Sequence, residues 1–290
     1  VKLASLETSA GIRVVAVHQR DGETQFVDLR SIDGSLPLSL KALLAQEDGI
    51  ARAAAAARDE SAGGHLVTGR LLAPIIEPGK VICIGLNYRD HAAESGMDIP
   101  SEPVCFSKFS QAVIGPDAAI ELPAVSKQVD YEAELVAVIG RCGKNIAAAD
   151  ALSYVAGYTN GNDVSARDWQ IGRPGGQWLL GKTHDTFAPL GPWLVTADEI
   201  ADPNQLGIRL RLGGETMQES NTQKFIFTIQ QIIEHLSKVI TLQPGDVIFT
   251  GTPPGVGMAR KPPVFLKPGD EVEVEIDGLG ILRNPVTAAG

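Results

Sequence analysis

The chain has 290 residues, 44% hydrophobic and 21% charged, an ordinary balance for a globular protein. Its net charge of -10 and pI near 5.0 exclude the basic face that nucleic acid requires and disfavour anionic membrane surfaces. No apolar run approaches the ~20 residues of a membrane span.

Residues 1–73 read as a small α/β module. VKLASLE, IRVVAVH and TQFVDL have the alternation of short strands, with a polar turn at Asp21-Gly22, and LSLKALLAQ and ARAAAAAR read as helices. The opening VKLASLETSAGIRVVAVH has no basic flank leading into an apolar stretch, so no targeting segment is expected. APIIEPGK marks a boundary, and residues 74–290 form the second unit.

In that unit KVICIGL reads as a buried strand, LGIRLRLGGETMQES as a hairpin around Gly213-Gly214, and DVIFTGTPPGVG and EVEVEIDG as strands entering glycine turns. TIQQIIEHLSKVI is an amphipathic helix, with Ile229, Ile232, Ile233, Leu236 and Ile240 on one face. The expected fold is α+β on a mixed or antiparallel sheet. Cys83, Cys105 and Cys142 are odd in number and set among apolar residues, which predicts buried reduced thiols and a cytoplasmic location. Neither G-x-G-x-x-G nor a P-loop occurs, so no nucleotide or other organic cofactor is expected.

The stretch VDYEAELVAVIG (129–140) sets Asp130, Glu132 and Glu134 at alternating positions, followed on the same face by Val136 and Val138. Side chains at i and i+2 of a strand lie about 6.6–6.8 Å apart on one face. Carboxylates that close repel unless a cation sits between them, either a divalent metal or an Arg or Lys. The plainer alternative is that they solvate the exposed start of a strand. A second polar stretch, YTNGNDVSARDWQ (158–170), brings Asp163 at a strand-to-helix corner. Three carboxylates make an all-oxygen site suited to Mg²⁺ or Mn²⁺, or to Ca²⁺, rather than zinc, with positions left for substrate oxygens.

GLNYRDHAAESGM (85–97) places His91 and Glu94 at i and i+3, so a short helix would turn both the same way. A carboxylate that holds a histidine makes a general base near neutral pH. Lys108, Arg167 and Lys182 are candidate partners for an anionic site, and TGTPPGVG (250–257) offers backbone N–H groups to a substrate carboxylate. His18, His65, His184 and His235 read as structural.

The motifs G-x-N-Y-x-x-H-x-x-E, F-x-K, D-Y-E-A-E-L, N-D-V-S-A-R-D-W-Q, G-K-T-x-D-T-F and G-D-V-I-x-T-G-T-P-P-G-V-G occur in this order. Residues 74–288 thereby resemble the fumarylacetoacetate hydrolase superfamily, in particular its smaller domain-containing members. The resemblance implies a mixed β-sheet roll of the fumarylacetoacetase C-terminal type, assembled as a homodimer or a dimer of dimers, with Mg²⁺ or Mn²⁺ bound. It places Glu132, Glu134 and Asp163 on the metal ligands and His91 and Glu94 on a catalytic dyad. Lys182 and Gln170 fall on groups that bind substrate and stabilise developing charge. Tyr88, Lys108, Arg167 and Thr252 fall on pocket positions. The founding enzyme's fourth carboxylate ligand has no counterpart in Gly85-Leu86-Asn87-Tyr88, so the pattern is the three-carboxylate version and fumarylacetoacetate itself is not the expected substrate.

The expected reaction is hydrolysis of an acylpyruvate. His91, oriented by Glu94, activates a water that attacks the distal carbonyl, and Lewis-acid stabilisation assists departure of a pyruvate enolate. The same residues would support keto–enol tautomerisation or decarboxylation of oxaloacetate, or isomerisation of a 2-hydroxymuconate-like diacid. A non-catalytic metal-binding scaffold is the rival of another class, and retention of every polar residue in the motifs argues against it.

Overall fold

A computed structural model describes residues 1–20, 22–59 and 63–289, so Asp21 of the expected turn lies outside the described residues. The alternating N-terminal segments form β1 (Lys2–Thr8), β2 (Gly11–Arg20) and β3 (Glu23–Asp28). They are followed by α1 (Leu29–Ile32), α2 (Leu40–Leu44) and α3 (Gly49–Ala57), then β4 (Leu66–Val67) and β5 (Arg70–Leu71). The sheet continues past residue 73. β6 (Val81–Gly85) leads into α4 (Arg89–Ser95), and β7 (Val104–Lys108), β8 (Val113–Ile114), β9 (Ile120–Leu122), β10 (Val129–Asp130), β11 (Ala133–Ile139), β12 (Val155–Asn162) and β13 (Ser165–Ala166) follow. The short helices α5 (Arg167–Gln170) and α6 (Trp178–Lys182) precede β14 (Ala188–Thr196) and the hairpin β15 (Gly207–Leu212) and β16 (Glu215–Asn221). α7 (Ile229–Val239), β17 (Val247–Phe249), β18 (Glu271–Ile276) and β19 (Gly280–Ala288) complete the chain.

The large sheet has the order β4-β3-β2-β1-β14-β12-β11-β17-β6-β7, with β5 on β1 and β8 on β14. Most neighbours are antiparallel, but β17 pairs with β6, and β8 with β14, in parallel, so the sheet is mixed. A second sheet, β16-β15-β18-β19-β9, packs against β12 and β14 through β18 and β19 and closes the roll. The fold is therefore α+β. No described helix is long and apolar enough to cross a membrane.

β11 explains why its sequence is apolar throughout. Leu135, Ala137 and Ile139 enter one core, while Val136 and Val138 enter the other with Phe249, so both faces are covered. Gly161 on β12 makes this possible, because a Cβ there would stand 2.5 Å from both Phe249 Cε1 and Val136 Cγ2. The stretch 129–140 is not one continuous strand. β10 pairs with β13, Tyr131 and Glu132 bridge the gap, and β11 begins at Ala133. Of the three cysteines expected to be buried only Cys83 is; Cys105 sits on the edge strand β7 and Cys142 in the connection after β11, both exposed.

Candidate active site

Pairing of β11 with β12 sets Glu134 opposite Gly161 and Ala133 opposite Asn162, so Asp163 leaves the end of β12 beside the start of β11. The backbone N–H of Asp163 donates to the Glu132 carbonyl at 2.9 Å, and Asn162 Oδ1 accepts from the Glu132 N–H at 2.9 Å. These bonds bring oxygens of Glu132, Glu134 and Asp163 within 4.8 Å of one another, with all three residues buried.

Cations surround them. Lys182 Nζ bonds Glu132 Oε2 at 2.7 Å and Asp163 Oδ2 at 2.9 Å, and Arg167 Nη2 bonds Glu132 Oε1 at 2.6 Å. Lys108 Nζ lies 2.6 Å from Asp163 Oδ1 and donates to the carbonyls of Val164, Lys182 and Phe187 at 2.5–2.9 Å. Burial alone would raise the Glu132 pKa, but Lys182 and Arg167 outweigh it and hold that carboxyl at about 2. Glu134 goes the other way. Burial, then Asp163 and Glu132, push it well above its ordinary value, opposed by Lys182 and by the Gly251 N–H, which donates to it at 2.7 Å.

Together with Asp130, four buried carboxyl groups face the three buried cations Lys108, Arg167 and Lys182, so one carboxyl group has no cation of its own. An all-oxygen donor set with one carboxyl group more than its cations fits a divalent cation such as Mg²⁺ or Mn²⁺. The buried acidic triad could therefore hold a divalent metal.

Across from the triad, α4 carries His91 and Glu94, and His91 Nδ1 lies 3.3 Å from Glu94 Oε2. The Gly255 N–H donates to both Glu94 oxygens at 3.0 and 3.1 Å, tying the helix to the 250–257 loop. A cavity of about 450 Å³ is lined by His91, Glu94, Glu132, Glu134, Arg167, Gln170, Lys182 and Thr252 among others. Gln170 Oε1 accepts from Arg167 Nη1 at 2.9 Å, and Thr252 Oγ1 accepts from Gln218 Nε2 at 2.9 Å. The opposite wall is apolar: Trp178 lies edge-on to Phe106, with ring centroids 5.4 Å apart, beside Ile171 and Met258.

Eight of the eleven residues singled out from sequence thus line one cavity. Asp163 stands just behind its floor with the triad. Lys108 lies deeper, its amino group taken up by Asp163 and three carbonyls, and it does not line the cavity. Tyr88 precedes α4, buried edge-on against Phe225 with ring centroids 4.9 Å apart, and it also stays off the cavity wall. A larger groove of about 580 Å³ between β7 and α7 contains none of the carboxylates.

Sequence reasoning gave no role to Asp130, Gln218 or Trp178. The signal for Asp130 was its place in the same alternating run as Glu132, while Gln218 left none, since only the fold brings it to Thr252.

The mixed-sheet roll thus sets three buried carboxylates, a candidate divalent-cation site, beneath a histidine-bearing helix. The family model described as fumarylacetoacetate (FAA) hydrolase C-terminal matches residues 80–287, and the chain belongs to that family. It is 50% identical over 275 residues to oxaloacetate tautomerase fahd2, mitochondrial, of Xenopus laevis, covering 94% of this chain and 85% of that one. It is 49% identical over 263 residues to oxaloacetate tautomerase FAHD2A, mitochondrial, of Homo sapiens, covering 90% of this chain and 83% of that protein. Among solved structures, 5-carboxymethyl-2-hydroxymuconate delta-isomerase of Mycobacterium smegmatis superposes over the full length of both chains with a TM-score of 0.76 at 36% identity.

These likenesses overturn two expectations. Acylpyruvate hydrolysis is not supported, because these two relatives are named oxaloacetate tautomerases and not C–C hydrolases. A histidine held by a carboxylate can activate a water or move a proton, so the motif alone does not separate hydrolysis from tautomerisation. The cytoplasmic location is likewise corrected, since the same relatives are named as mitochondrial proteins and cysteine usage does not separate two reducing compartments.

Proposed function

We propose that this protein is a divalent-metal-dependent keto–enol tautomerase acting on oxaloacetate or a closely similar 2-oxo diacid. The observation that carries the reading is that the His91–Glu94 pair and the acidic triad line or floor one cavity, one supplying a proton acceptor and the other a cation site. Relatives of similar length named as oxaloacetate tautomerases supply the substrate.

In this proposal Glu132, Glu134 and Asp163 would hold Mg²⁺ or Mn²⁺, which would supply Lewis-acid stabilisation of developing negative charge. Glu94 engages His91 Nδ1, leaving Nε2 to take the proton from C3 of the keto form. The C–H electron pair becomes the C2–C3 double bond, and Lys182 Nζ delivers a proton to the C2 oxygen. Exchange with solvent returns both groups to their starting states. Arg167 is locked by Asp130, Glu132 and Gln170 and keeps Glu132 ionised. Gln170 uses its carbonyl on Arg167, so its amide nitrogen is the group offered to a substrate carboxylate, alongside the Thr252 hydroxyl. Residues 1–73 serve as a packing or oligomerisation module and 74–290 as the catalytic unit, in a homodimer or dimer of dimers that light scattering would detect.

The test is a proton NMR and ultraviolet time course on enol-oxaloacetate with Mg²⁺, repeated with chelator and with His91→Ala. Enzyme-dependent loss of the enol signal, abolished by both changes, is expected. Release of pyruvate with carbon dioxide in its place would make the enzyme a decarboxylase, and no effect on the enol would refute the proposal.

A further inference from the structure

Asp130 touches neither the cavity nor the acidic triad, yet its carboxylate is fully buried and accepts four hydrogen bonds. Oδ1 accepts from the Tyr131 N–H at 2.8 Å and the Gly257 N–H at 2.7 Å. Oδ2 accepts from the Met258 N–H at 3.0 Å and Arg167 Nε at 2.9 Å. A carboxylate taken out of water is tolerated only when its lone pairs are used this fully.

These donors belong to two different halves of the site. Arg167 continues to Glu132 Oε1 and Gln170 Oε1, the metal and substrate side. Gly257 and Met258 belong to the loop whose Gly255 N–H holds both oxygens of Glu94, the partner of His91. The loop is built to approach Asp130, because a Cβ on Gly257 would stand 2.6 Å from Asp130 Oδ1 and closer still to the Val264 carbonyl. Gly255 has φ +100°, and a Cβ there would stand 2.2 Å from the Met217 carbonyl.

We propose that Asp130 is a positioning residue that sets the distance between the acidic triad and the His91–Glu94 pair, by clamping Arg167 and the 255–258 loop with one side chain. The proposal rests on His91 and Glu94 being the proton-moving pair and is independent of which keto acid is bound. Proton transfer is sensitive to this spacing, as misplacement by ~1 Å can cost about a hundredfold in rate.

Asp130→Asn keeps the shape but satisfies the donors of only one oxygen, so whichever way the amide sits one pair of bonds is lost. Two readouts are taken: steady-state kinetics on enol-oxaloacetate, and amide hydrogen exchange without substrate. The expected result is a kcat lower by about a hundredfold with KM moved less than about threefold. Exchange should be faster by at least about tenfold in 255–258 and α4, and unchanged in β11 and β12. A kcat within about twofold of wild type would overturn the clamp. So would slow exchange retained in α4 and the loop, or acceleration spread evenly over the chain, which marks general destabilisation. Exchange needs no substrate, so a wild type inactive on oxaloacetate would refute the proposed function while the exchange pattern still decides on Asp130. If Asp130→Asn does not fold, Asp130→Glu, which keeps the charge and displaces it by one methylene, is read by the same two measurements.

Discussion

Replacing Glu134 by Gln should stabilise the protein in chelator while destroying its response to metal. Oxygens of the triad lie within 4.8 Å of one another. Two unit charges at that separation repel by about 3–4 kcal/mol at an effective dielectric of ~20. Glu134 faces two such neighbours, and Lys182, bonded to both of them, cancels much of that repulsion. A net relief of about 2 kcal/mol is expected on removing the charge, equivalent to a Tm rise of about 4–6 °C. The amide carbonyl can still accept the Gly251 N–H, so no hydrogen bond is forfeited.

The pH dependence follows from the direction of the shift. Burial and the neighbouring carboxylates raise Glu134 above 4.5, so the folded chain keeps this proton to higher pH than the unfolded chain. The associated stability is full below about 4.5 and is lost as pH rises toward the raised value. In EDTA the wild-type Tm should therefore fall relative to Glu134→Gln as pH rises above about 5, and the Mn²⁺-dependent rise expected of wild type should vanish in the variant. Differential scanning calorimetry checks both. A variant less stable than wild type in EDTA at the alkaline end, or one that keeps the full Mn²⁺-dependent rise, would refute the electrostatic reasoning.

His91→Ala should lower kcat by about 10²–10⁴ while Mn²⁺ affinity, read by electron paramagnetic resonance, stays within about twofold. A large loss of affinity would instead place the histidine among the groups that shape the cation site. Gly85→Ala would put a Cβ 2.9 Å from Trp178 Cζ3. The ring must move off the cavity wall at a cost of about 1–3 kcal/mol, shifting tryptophan emission, and unchanged emission and stability would contradict the packing described. Lys80→Met removes the 2.8 Å partner of the fully buried Asp246. Because Lys80 is about one-third exposed, the cost is set at about 2 kcal/mol, below the full penalty of a buried pair, and is read by urea denaturation.

Several features were legible before any coordinates. The periodicity of TIQQIIEHLSKVI marked α7, and its Thr228–Gln231 capping box accounts for where it begins. The glycines at 213–214 marked the β15–β16 hairpin, and the i, i+3 spacing of His91 and Glu94 marked a shared helical face. Each depends on residues near one another in the chain, where φ/ψ preference and side-chain period act directly. Legibility failed where partners are far apart. The single strand expected over 129–140 is interrupted because Asp130 pairs toward β13 and the 257–258 loop, contacts 35 or more residues distant. Cys105 was expected inside from its apolar neighbours, but β7 lies at the sheet edge, where strand order and not composition sets exposure.

By itself the sequence determined the residue types, their local geometry and their family: carboxylates at alternating positions, a histidine one turn from a glutamate, and ordered motifs over 74–288. Only the tertiary structure decided which charges meet. Burial makes every pairing consequential, since in a water-poor interior an acid beside two cations is held at about 2 while its neighbour two residues on, facing two other acids, is driven upward. Both pairs are distant in the chain, Lys182 lying 50 residues from Glu132, and it is the closing of β11 against β12 that brings Asp163 to Glu134 and the packing of α6 on β13 that brings Lys182 to Glu132.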